Sequence, residues 1–132
     1  MIVLNLKTID PQIMNDVKNL VNHIIAACQD KKAKNIVTID LSELPGAICK
    51  YFVICDGNTP MQVSAISDEI INSIKKKIQD RPITTDGLKE ARWVGIDYGT
   101  VIVHVFIPEL RDFYDLEHLW ADAKIERIPD ID

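Results

Sequence analysis

The run Tyr51-Phe52-Val53-Ile54-Cys55 holds five apolar residues with no polar interruption. Successive side chains of a strand point to opposite faces, so a strand wet on one side alternates apolar and polar residues. A run without alternation predicts a central strand covered on both faces. Such a strand needs a sheet with packing layers above and below it, and the flanking sequence can provide them.

Asp10-Pro11 offers a side-chain acceptor at an N-cap and a ring with preset φ at the first helical position. Ile13, Val17, Leu20, Val21, Ile24 and Cys28 then recur at helical spacing, which predicts a helix to about Lys31. The β-branched run at 36–41 predicts a strand, and 42–50, broken by Pro45 and Gly46, a loop. Thr59-Pro60-Met61-Gln62 reads as a capping box with proline in the first turn, ahead of an apolar face at Val63, Ile66, Ile70, Ile71, Ile74 and Ile78. Lys75 to Lys77 close that helix, where cations offset its dipole.

A short strand at 82–86 and a turn at Gly87 follow. The runs 91–97 and 100–107, separated by Tyr98-Gly99, predict a β-hairpin. Pro108 ends its second strand, and two short helical pieces follow. The tail, about 124–132, is expected to be peripheral. The fold expected is α/β (α+β) in class: one five-stranded mixed sheet flanked by helices, in a single domain spanning 1–132. At 132 residues and 47% hydrophobic content, a chain of this size buries roughly two-thirds of its unfolded surface, so neither metal nor disulfide is needed to hold it.

Composition narrows the function. The formal net charge of −5 disfavours a partner held through nucleic-acid phosphates, which calls for a basic stripe. An acidic surface suits a basic protein instead. No run of about 18 apolar residues predicts a membrane span, and the N-terminus has neither a secretory nor a transit-peptide pattern, so a cytoplasmic location is expected. Cys28, Cys49 and Cys55 have no C-x-x-C spacing; Cys28 and Cys55 read as small core residues.

Known chemistries find little to use. The five glycines form no phosphate-binding loop, and Asp56 would repel phosphate from the strand-to-helix turn at Gly57. The D-x-D spacing of a two-metal site occurs only at Asp130–Asp132. His118 and Asp122 give two zinc-ligand types where three or four are required. His104 has no nucleophile context, so the expectation is a buried or half-buried histidine bonded to backbone or to a neighbour such as Glu117. No enzyme, metal or cofactor is therefore expected.

The hairpin stands out. Trp93, Gly95 and Asp97 share one strand face, and Val94 and Ile96 the other, which is the core side. Trp93 and Tyr98 beside acids read either as interface anchors or as an edge cover and an incidental turn residue.

The motifs YFVICDGNTPMQVSAISDEI, D-G at 86–87, W-V-G-I-D-Y-G-x-V-I-V-H-V-F, R-x-F-Y and L-E-H-L-W together resemble the Iojap-like ribosomal silencing factors across nearly the whole chain. The resemblance implies a nucleotidyltransferase-like shape without catalytic carboxylates, and docking on universal ribosomal protein fourteen of the large ribosomal subunit. That docking would block joining of the small subunit and repress translation when nutrients are scarce; the free protein would be a homodimer. It further implies Trp93 and Tyr98 as apolar anchors, Asp97, Asp86 and Glu90 as partners for basic groups, and His104, Tyr114, Glu117 and Trp120 as structural supports. A nucleotidyltransferase-related enzyme and a dimeric scaffold for another basic protein are the alternatives.

Overall fold

The computed structural model describes residues 11–131; the N-cap expected at Asp10 lies outside them. Helix α1 (Pro11–Asp30) leads into β1 (Lys34–Asp40) and β2 (Tyr51–Asp56), followed by α2 (Pro60–Ile78). Then come β3 (Thr84–Asp86), β4 (Trp93–Asp97) and β5 (Val101–Phe106), two short helices α3 (Pro108–Tyr114) and α4 (Leu116–Leu119), and β6 (Lys124–Arg127). The strands form one mixed sheet in the order β3-β4-β5-β2-β1-β6. Among the described residues only the β2–β5 pair is parallel, joined by the crossover that contains α2.

Among the described residues the mixed sheet has six strands, one more than expected. The extra strand is β6, which pairs antiparallel with β1 from Val37↔Arg127 to Asp40↔Lys124. The tail is thus part of the sheet as far as Arg127. Its pattern, Lys-Ile-Glu-Arg, has one apolar residue, Ile125, packed inward. A four-residue edge strand with three charged residues carries almost no apolar signal.

The unbroken apolar run of β2 has the predicted cause. Val53 and Cys55 face α1 and α2, packed with Leu20, Ile24, Ile66 and Ile70. Phe52 and Ile54 face the opposite layer with Val37, Ile39, Leu41 and Phe106. Fully burying each such side chain contributes roughly 1.5–3 kcal/mol. The second layer is thin: the loop after β1, α3, α4 and β6 cover only part of that face, through Leu110, Leu116, Trp120 and Ile125.

Helix α2 starts as its sequence specifies. Thr59 accepts a hydrogen bond from Gln62 N–H at 3.1 Å, while the Gln62 side chain receives Asn58 N–H at 3.1 Å. Gly57 donates to Phe106 O at 2.9 Å, and a Cβ there would lie 2.9 Å from Val63 N. This glycine is set by close packing of the turn on α2, and its amide is committed within the sheet.

A polar cluster centred on the buried Arg111–Asp56 pair locks the end of β2 to α3 and α4. Arg111 donates from Nη1 to Asp56 Oδ1 at 2.8 Å and to Asn35 O at 2.6 Å, and from Nε to Glu117 Oε1 at 3.1 Å. Asn35 Nδ2 reaches the other Asp56 oxygen at 2.9 Å. Although burial alone favours the neutral guanidine, Asp56 and then Glu117 hold the Arg111 pKa above its ordinary value.

Candidate functional site

The part of the second sheet face left uncovered lies on β3, β4 and β5. Alternation along β4 turns Val94 and Ile96 into the core and leaves Trp93, Gly95 and Asp97 on the open side. Register does the rest. Asp86, Gly95 and His104 form one cross-strand row, and Thr84, Asp97 and Ile102 the next. These residues and Trp93 line a pocket of about 380 Å³. Asp86 and Asp97, which the family resemblance implies as partners for basic groups, both lie in it, as does Trp93. Glu90 is exposed in the β3–β4 connection and is not among the pocket residues.

Trp93 is held from three sides. Its indole stacks on Phe106 with centroids 5.0 Å apart, meets Tyr114 at 4.5 Å, and donates from Nε1 to His104 Nδ1 at 3.1 Å. That bond fixes the imidazole proton on Nε2. Burial pushes the His104 pKa down to about 4, so the ring is neutral near pH 7. The partner of His104 is therefore Trp93 and not Glu117, which pairs with Arg111 instead. His104 also meets Phe52 edge-to-face at 4.9 Å, and Trp120 meets Phe52 edge-to-face at 6.0 Å. Tyr114 leads outward to Phe113, which is 77% exposed, with ring centroids 5.0 Å apart.

Tyr98 is corrected by the structure. It is buried, 7% exposed, and packs in the core with Val94 and Ile96. The hairpin tip is Gly99-Thr100, one residue later than expected, because Tyr98 N–H bonds Val101 O at 2.8 Å and Gly99 carries the positive φ of +87°. A shift of one residue along a strand changes the face, so Tyr98 continues the Val94–Ile96 side and offers no surface to a partner. The β4 alternation, carried one residue further, holds that signal. Asp97 Oδ1 accepts Gly99 N–H at 2.7 Å and steadies the turn.

Sequence reasoning missed the roles of Arg111 and Asp56. Arg111 appeared only as the first residue of the R-x-F-Y motif, and Asp56 only as a charge unfavourable to phosphate. Elsewhere the chemistry is sparse. His118 faces Asp115 at 3.3 Å on an exposed surface, and no cluster of three or more His, Cys, Asp or Glu suited to a metal occurs among the described residues. The three cysteines are free and buried; Cys28 and Cys55 have sulfurs 3.9 Å apart, and burial raises Cys49 to about 11. No helix among the described residues is long and apolar enough to cross a membrane.

A mixed sheet carrying two long helices on one face, and a half-covered aromatic face edged by acids on the other, defines a small α+β domain with one sheet face partly open. Residues 14–132 match the family model described as "Ribosomal silencing factor during starvation", and the chain belongs to that family. The ribosomal silencing factor RsfS of Bacillus subtilis is 40% identical over 109 residues, covering 82% of this chain and 90% of that one. The chloroplastic protein Iojap of Zea mays is 29% identical over 80 residues, covering 61% of this chain and 34% of that longer protein. A crystal structure of a Chromobacterium violaceum protein superposes with a TM-score of 0.75 at 30% identity, covering 80% of this chain and 86% of that one.

Proposed function

We propose that this protein is a non-enzymatic regulator that represses translation by docking on the large ribosomal subunit and sterically blocking the small one. The docking surface is the open face of β3–β4–β5, with Trp93 as its anchor and Asp86 and Asp97 as its acidic edge. The observation that carries this reading is the part-buried Trp93, fixed by Phe106, Tyr114 and His104 and lining an open pocket on an otherwise well-packed sheet. A rigid aromatic beside a pocket is what interface hot spots use, since little side-chain entropy is lost on contact. The acids suit a basic partner, and the family resemblance points to universal ribosomal protein fourteen. Glu90 is assigned to the margin of this surface, where an exposed charge acts on encounter more than on affinity. Free of the subunit, the chain is assigned a homodimeric state, which sedimentation equilibrium measures directly.

The test is co-sedimentation with purified large subunits, followed by subunit joining measured by light scattering. Trp93→Ala is expected to weaken binding by about 30-fold or more, the value of a hot-spot loss of about 2 kcal/mol, and to abolish the block on joining. A folded Trp93→Ala protein that binds and blocks like the wild type would overturn the assignment.

A further inference from the structure

Gly95 sits at the centre of the open face, and the fold does not require a glycine there. Its φ lies outside the left-handed region, and a Cβ added to it would meet nothing within 4 Å. Gly87 contrasts with it: φ is +81° and an added Cβ would lie 2.1 Å from Trp93 O. Glycine inside a strand weakens the strand, since it has no side chain to pack and more chain entropy to lose. What its bareness leaves is space. Trp93 and Asp97 stand two residues away on the same face, with Asp86 and His104 opposite in the adjoining strands.

Resting on the docking reading above, we infer that Gly95 is the specificity-determining residue of this surface. Its missing side chain makes a socket that receives one long cationic side chain, lysine or arginine, from the protein partner. The aliphatic stem lies on Trp93 and Ile102, and the charged end reaches Asp86 and Asp97. Both carboxylates line the pocket and no basic residue does. Asp97 commits Oδ1 to Gly99 N–H, and Asp86 makes no side-chain bond among the described residues. His104 is uncharged, so a cation meets no positive charge on the pocket wall. An acidic side chain would be repelled, and a purely apolar one would strip water from two carboxylates without replacing it.

Gly95→Val fills the socket and favours the strand, so it is expected to melt at or above the wild-type temperature while binding large ribosomal subunits at least 10-fold more weakly. Gly95→Ala is expected to give a smaller loss. Asp86→Asn should weaken binding several-fold and flatten its salt dependence. NMR titration with n-butylguanidinium should shift the Gly95 and Asp97 amides and the Trp93 indole N–H, with no such shifts in Gly95→Val or with n-butanol. Wild-type binding by Gly95→Val, beside a loss in Trp93→Ala, overturns the socket and leaves the docking reading standing. Wild-type binding by both variants removes the docking reading; the n-butylguanidinium titration then decides the socket alone, its absence of shifts overturning it. Equal shifts with n-butanol overturn the cationic occupant.

Discussion

Arg111→Met is the substitution whose cost follows most directly from the structure. Arg111 and Asp56 are 7% and 5% exposed, and their bond at 2.8 Å is the centre of the cluster joining β2, β1, α3 and α4. Methionine retains an unbranched stem of similar reach but leaves the Asp56 carboxylate buried with, among the described residues, only the Asn35 amide as side-chain donor. Breaking a buried pair by removing one partner costs about 3–5 kcal/mol, because the remaining charge stays desolvated. A domain this size loses roughly 3–5 °C of Tm per kcal/mol, so the variant should melt about 10–20 °C lower. Urea titration followed by circular dichroism gives the free energy directly. The charge argument also predicts the sign of a second change: adding Asp56→Asn to Arg111→Met should restore part of the loss, since the orphaned charge is removed. A loss below about 1 kcal/mol, against the 3–5 that an orphaned buried charge costs, would refute the reasoning. So would a double variant less stable than the single one.

Three further outcomes are expected. His104 has a folded-state pKa of about 4, below its unfolded value, so the unfolded chain takes the proton first as pH falls. Its contribution is complete above about pH 6.5 and declines toward pH 4 by at most about 3 kcal/mol; His104→Gln should flatten that part of the Tm-versus-pH curve, and parallel curves would count against it. Gly87→Ala combines a left-handed φ of +81° with a collision against Trp93 O and should lose about 2–5 kcal/mol in urea titration. Thr59→Ala removes the acceptor for Gln62 N–H and should lose about 1 kcal/mol, seen as faster hydrogen exchange in the first turn of α2.

The elements that were legible are those whose burial leaves a periodic trace. Helices α1 and α2 each bury one long apolar face, and β2 is buried on both, so period and run length announced them. The missed strand β6 buries Ile125 alone and is defined by backbone bonds to β1, which any side chains permit. The Arg111 cluster was illegible for a related reason. Its members, at positions 35, 56, 111 and 117, meet only after the sheet has formed, and nothing local to Arg111 distinguishes it from a solvated helix cation.

The hairpin shows how a local reading reaches a site and where it fails. Alternation correctly separates Trp93, Gly95 and Asp97 from Val94 and Ile96, because one face of β4 is core and the other is open. The same alternation assigns Tyr98 to the core, yet a tyrosine before a glycine also fits a turn, and turn chemistry suggested the wrong face. The tertiary structure decides between them through two bonds: Tyr98 N–H to Val101 O, and Lys50 N–H to Thr100 O, which anchors the tip beside β2. With the tip moved to Gly99-Thr100, the only large aromatic that β4 presents outward is Trp93. Its neighbour on that face, Gly95, then becomes the informative position. A strand that tolerates a side chain at Gly95 and lacks one there leaves open space between Trp93 and Asp97 on the pocket face.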